Sequence, residues 1–174
     1  LDAFLYEIYE KCPLHISIKT RLGISDLCEW EALLAIYAKY PVQELIVHTR
    51  LLQEFYTGVP HPEAYAQALR RLHDSNSKHP LSAEIPLCYN GDILSAESLS
   101  KAQSKVLSCF DSPDRCDQSG KYDSVIGRVM IVRGLLRNPA LAKQLREKQP
   151  HTQTTAGQAQ GSHAAKTLRA FHDE

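Results

Sequence analysis

The sequence predicts an α/β fold built on parallel strands, and three observations carry that expectation. Short apolar runs rich in β-branched residues recur along the chain in "LHISIK", "ELIVH", "IPLCY" and "GRVMIVRG". An amphipathic helical pattern separates each run from the next, as crossover connections between parallel strands require. Charged and polar residues gather at the end of each run, where the carboxyl ends of the strands would lie.

The chain opens on a helix, with Leu1, Phe4, Leu5, Ile8 and Tyr9 at helical spacing and Pro13 to stop it. "LHISIK" at 14–19 then reads as a strand. In "SDLCEWEALLAIYAKY", Asp26 and Glu29 are spaced as a capping box, and Leu27, Trp30, Leu34, Tyr37 and Ala38 form one apolar stripe. A strand at 44–48, a helix from Pro60 to Leu72 and a strand at 85–89 follow. Asn90, Gly91 and Asp92 read as a turn in which glycine takes φ > 0 without penalty, and Ser95 caps a helix over Ala96–Leu107. The last strand is expected at 127–134, and the last helix is capped by Asn138, with Pro139 in its first position.

The 174 residues are 43% hydrophobic, with 20 basic and 20 acidic side chains, which is the composition of one globular domain or slightly more. Zero formal net charge argues against an autonomous RNA-binding surface. No apolar run is long enough to cross a bilayer, and "LDAFLYEIYEKC" carries acidic residues where a signal peptide is basic and then apolar, so a cytoplasmic location is expected. Cysteines 12, 28, 88, 109 and 116 are odd in number and form no Cys-x-x-Cys pair, so reduced thiols are expected rather than disulfides or a zinc site. His61, His73 and His79 fall in polar connecting stretches, and no metal is assigned. Residues 149–165 hold almost no large apolar side chain and read as a linker, after which "KTLRAFHDE" at 166–174 opens a new helical pattern. Because the chain starts and stops within helical patterns, a fragment is expected.

The polar residues define a candidate site. Lys19 and Arg21 follow the first strand, His48 and Arg50 the second, Asn90, Gly91 and Asp92 the third, and Arg133 the fourth. In parallel α/β folds ligands bind at this edge, because the loops converge there and the helices point their N-termini at it. Each residue taken alone reads better as a solvated loop charge, or for His48 as a hydrogen-bonded core histidine, and it is their coincidence at four strand ends that marks a site.

Together the motifs carry a resemblance. In chain order, "ISIKTRLG", "LIVHTRLLQEFYTG", "IPLCYNGDI" and "VMIVRGLLRNPAL" are similar to four strands of the tRNA-dihydrouridine synthases. These are the Lys-x-Arg-Leu-Gly, His-x-Arg, Asn-Gly-Asp and Gly-Arg-Gly…Asn-Pro strands. The resemblance implies a flavin-dependent (β/α)8 TIM barrel, here its fifth to eighth strands in residues 1–148, and "KTLRAFHDE" resembles the start of the helical tRNA-binding domain. It implies FMN as cofactor, NADPH as reductant, tRNA as partner, and reduction of a uridine to 5,6-dihydrouridine. By the same resemblance, Lys19 and His48 contact the cofactor. Asn90, Gly91, Asp92, Val132 and Arg133 form the corners that hold it, and Arg21 and Arg50 support the site or the RNA. No protein partner is implied.

Two departures qualify the resemblance. The family's acid cysteine lies in an Asn-x-Gly-Cys-Pro motif that this sequence lacks, and Cys12 in "KCPL" precedes the Lys19 strand and reads as structural. Val132 stands where the family has glycine, and a β-branched residue disfavours both φ > 0 and close backbone approach. Gly127-Arg128 lies upstream as a rival corner, but the Gly-Leu-Leu-x-Asn-Pro continuation sets the register on Arg133. The implied reading is the carboxyl-terminal half of a barrel without its acid. The alternatives are another FMN or phosphate-binding TIM-barrel enzyme and a non-catalytic remnant.

Overall fold

A computed structural model describes residues 1–55, 57–72, 85–110 and 125–148. Tyr56, His73, His79, Cys116 and the expected linker and terminal helix lie outside the described residues. The elements, in chain order, are α1 (Asp2–Lys11), β1 (Ser17–Arg21), α2 (Glu29–Tyr37), β2 (Glu44–His48), α3 (Pro62–Leu72), β3 (Leu87–Asn90), α4 (Ala96–Ser108), α5 (Arg133–Arg137) and α6 (Leu141–Lys148). The strands make a sheet in the order β1-β2-β3, and both pairings are parallel. The α/β class expected from the sequence is the one observed.

Alternation along the strands divides the sheet into two chemically different faces. Ile18, Leu45 and Leu87 share one row and Thr20, Val47 and Tyr89 the next, and this face meets the helices. Leu45 and Val47 have no exposed surface. Thr20 Oγ1 and the Tyr37 hydroxyl of α2 lie 2.8 Å apart in a hydrogen bond, and the Tyr65 ring of α3 meets the Tyr89 ring edge-on at 5.3 Å. Trp30, fully buried, joins α2 to α3 by donating its indole N–H to the Ala64 carbonyl at 2.9 Å. The opposite face carries Lys19, Arg21, His48 and Asn90, and it is this face that opens into the site.

The helices form for local reasons. Ser95 caps α4 as expected, within a reciprocal box in which Ser98 takes the usual acidic partner's place. Asp26 and Glu29 act one turn earlier than a simple box: Glu29 accepts from the N–H groups of Ile24, Ser25 and Asp26, while Asp26 accepts from Cys28. Asn138 does cap the start of α6 through the Ala140 N–H, but regular helix begins only at Leu141. In α1 the apolar stripe is half used: Leu5 is buried, Tyr9 stacks on Tyr40 at 5.2 Å, and Phe4 is exposed.

Three expectations are corrected. The first strand starts and ends later than 14–19, because pairing begins where β2 begins, with Ser17 opposite Glu44. Lys19 and Arg21 therefore lie within β1 rather than after it. The fourth strand at 127–134 reduces to one parallel bridge between Tyr89 and Val129, formed by Tyr89 N–H to Arg128 and Met130 N–H to Tyr89. The next rung would use the Met130 carbonyl, which instead accepts from the Asn90 side-chain amide at 3.0 Å. The chain then turns into α5, so Arg133 opens a helix instead of closing a strand. Gly91 is not in the left-handed region, which among the described glycines only Gly23 occupies.

Candidate functional site

At the carboxyl ends of the strands an open cavity of about 590 Å³ is lined by Lys19, Arg21, His48, Asn90, Gly91, Asp92, Val132 and Arg133, together with Ile93, Leu94 and Gly134. Register explains the convergence: Arg21 pairs with His48 and His48 with Asn90, so these three side chains form one row across the sheet. Lys19 sits one row lower, opposite Ile46. The corner between β3 and α4 supplies Gly91 and Asp92, and the start of α5 supplies Val132 and Arg133.

Arg50 is the expected site residue that does not line the cavity. It is 2% exposed and donates through Nε to the Gly58 carbonyl at 2.7 Å and through Nη1 to Asp92 Oδ1 at 3.1 Å, with Nη2 closing a second contact to Asp92 Oδ2. Asp92 also accepts from Arg133. The bidentate Arg50 contact holds the Asp92 carboxyl below its ordinary range, and Arg133 adds to the effect against the opposing pull of burial.

His48 is buried, and burial pushes its pKa down to about 4, with the positive charges of Arg21, Lys19 and Arg50 acting in the same direction. The imidazole is therefore neutral near neutral pH and offers one N–H and one lone pair rather than a charge. Arg21 braces the loop after β2 by donating Nη1 to the carbonyls of Leu51 at 2.7 Å and Phe55 at 3.2 Å. Phe55 itself has φ +48, uncommon for a residue with a side chain.

Glycine at two of these corners answers to close packing rather than to turn geometry. A Cβ on Gly91 would meet the Tyr89 hydroxyl at 2.5 Å, and one on Gly134 would meet the Ile93 carbonyl at 2.2 Å. Val132 has a negative φ of −115°, so the expected conflict with φ > 0 does not arise. Its side chain is exposed. The rival corner lies elsewhere: Arg128 pairs with Glu44 at the amino end of β2, at 2.9 Å, and Gly127 faces open space.

Sequence reasoning missed the loop that follows β2. His61, which the sequence places in a polar connecting stretch, has Nε2 2.9 Å from Glu54 and Nδ1 3.1 Å from Glu63. Burial lowers its pKa, but the two carboxylates outweigh that and raise it. The acidic residues at 54 and 63 were a signal, though only folding reveals that they flank one ring. Cys12 lies at the end of α1, away from the cavity, and Cys88 is buried with its thiol pushed up to about 11 by desolvation. Among the described residues no cluster of potential metal ligands occurs, and no helix is long and apolar enough to cross a membrane.

Comparison with known proteins places this geometry in a family. The family model described as "Dihydrouridine synthase (Dus)" matches residues 2–108, which takes in β1 to α4 and the residues from Lys19 to Asp92, while Val132 and Arg133 fall beyond the match. No curated protein is matched. With the match covering more than half of the sequence, the chain belongs to the dihydrouridine synthase family, flavin-dependent enzymes that modify tRNA on a TIM-barrel fold.

Proposed function

We propose that the cavity is the binding site for flavin mononucleotide in an enzyme that reduces uridine to 5,6-dihydrouridine in tRNA, with NADPH as reductant. The carrying observation is that Lys19, His48, Asn90 and Arg133, spread over most of the described chain, line one cavity. Its volume falls within the range of small-molecule sites, and its cationic and amide donors suit a phosphorylated, electron-accepting ring. The absence of a Cβ at Gly91 leaves the corner no bulkier than its backbone and the Tyr89 ring allow.

When bound, the flavin supplies hydride chemistry toward the C5–C6 bond of the base. The chain's own residues supply position and charge. Lys19 sets a cation where negative charge grows on the ring, and neutral His48 contributes a hydrogen bond without adding to that charge. Asn90, anchored to the Met130 carbonyl, holds the third strand end in place, and Arg133 meets the phosphate. Arg21 and Arg50 support the loops around the site. The proton that completes reduction is assigned to a cysteine outside this sequence, which makes residues 1–148 half of the barrel. Residues 149–165 are then the linker and 166–174 the start of the tRNA-binding domain. The proposed location is the cytoplasm.

Flavin fluorescence tests this reading. FMN titrated into the purified chain is expected to bind saturably, and Arg133→Ala is expected to weaken binding about tenfold or more, the effect of losing one charge-assisted contact. Failure to bind FMN, or an unaltered affinity in R133A, would remove the assignment and favour a different phosphate-binding barrel or a non-catalytic remnant. With tRNA and NADPH added, no dihydrouridine should form. Its formation would show that the acid lies within this sequence after all.

A further inference from the structure

We propose that Arg50 is a positioning residue for the phosphate corner: through Asp92 it sets the place of Arg133, and through Gly58 it makes the loop after β2 part of the same unit. The inference rests on the flavin reading above and goes beyond it by assigning work to a side chain that never reaches the cavity.

Three features of the geometry support it. Arg50 is almost completely buried, and such a guanidinium is kept only where its charge and donors are met. Here the fork is met on both sides, by Asp92 through Nη1 and Nη2 and by the Gly58 carbonyl through Nε. Asp92 is in turn shared with Arg133, which lines the cavity. A carboxylate held by a buried arginine is a fixed post, whereas a carboxylate at a loop corner with no such support would follow Arg133 wherever it swung. The arrangement also has a consequence for binding. When an anion draws on Arg133, Asp92 keeps Arg50 as its counter-charge, so no uncompensated carboxylate is left beside the ligand.

Gly58 extends the unit outward. A Cβ there would meet the Glu54 side chain at 2.7 Å, so any side chain would displace Glu54. Glu54 accepts from the Leu51 N–H at 2.7 Å and from His61, and Arg21 donates to the Leu51 and Phe55 carbonyls, so this loop is braced at several points and Arg50 links it to Asp92.

The test compares FMN with riboflavin, which has the same ring and no phosphate, by flavin fluorescence. Lysine in place of Arg50 keeps the charge but loses the planar fork. Arg50→Lys is expected to weaken FMN binding about tenfold, to leave riboflavin binding unchanged, and to have no further effect in an Arg133→Ala background. Equal losses for both ligands, or additive losses in the double variant, would reduce Arg50 to a general support of the fold and overturn the positioning role. If the unaltered chain binds neither ligand, the flavin reading itself fails and this inference with it. Should R50K not fold, hydrogen exchange on the unaltered chain decides: exchange at residues 50–58 should slow with FMN and not with riboflavin, and equal behaviour with the two ligands would count against the coupling.

Discussion

Gly134 shows how little room the corner at the start of α5 has. A methyl group there would stand 2.2 Å from the Ile93 carbonyl and 2.7 Å from the Leu141 side chain, and the first of these is backbone that cannot swing aside. Gly134→Ala is expected to destabilise the chain by ~2 kcal/mol or more, the cost of overpacking a site that must shift its backbone. Gly127→Ala is the control, since nothing lies within 4 Å of its added Cβ, and it should be neutral or slightly stabilising through the unfolded chain. Urea midpoints of the two variants measure the difference; equal midpoints would mean that the corner relaxes more easily than its packing implies.

The start of α4 is where a helix fixes the Asn-Gly-Asp corner. Ser95 accepts from the Ser98 N–H, while the Ser98 hydroxyl accepts from the N–H groups of Leu94 and Ser95. These bonds hold the backbone only three residues after Asp92. Ser95→Ala is expected to cost about 1 kcal/mol and to speed hydrogen exchange in the first turn of α4. Exchange that stays slow there would mean that packing of Leu99 and Ala102, not the cap, holds the turn. The fourth strand position shows the opposite case, an element with the right residues that does not form. The Met130 carbonyl accepts from the Asn90 side-chain amide, and the chain turns into α5 after a single bridge.

Acid should destabilise the fold through ionisable groups at and beside the site. The His48 pKa is about 4 in the folded chain against an ordinary 6.5, so between these values the unfolded chain binds the extra proton and stability falls as pH falls. Above 6.5 the penalty is absent. Asp92 and Glu54 have lowered values, so their contributions are fully present above the ordinary carboxylate range and are lost as pH falls below it through their lowered folded values. His61 acts in the other direction, since its raised pKa adds stability at low pH that is lost as pH rises through the folded value. Replacing His48 with Gln should flatten the loss between pH 6.5 and 4, as read from urea midpoints across that window. A wild-type midpoint that does not change there would show that His48 takes up its proton without cost.

The sequence by itself determined the class of fold and most of the site. β-branched runs and helical stripes are local patterns with periods near two and 3.6 residues, and burial acts on each of them independently of distant contacts. Strand β2 formed where the pattern placed it, as did Trp30, Leu34 and Tyr37 on the buried side of α2. His48 and Asn90 could be picked out because parallel topology sends the carboxyl ends of the strands to one edge, whereas Lys19 reaches the cavity from within β1 and Arg133 from the start of α5. Only the tertiary structure decided the rest. It put Arg21 rather than Lys19 in the row with His48, because register depends on where a neighbouring strand begins. It gave Arg50 to Asp92, 42 positions away, and to the Gly58 carbonyl, and it set His61 between Glu54 and Glu63. Charges so far apart in the chain find one another only after the sheet and its loops have closed around them, and no local pattern records which pair will meet.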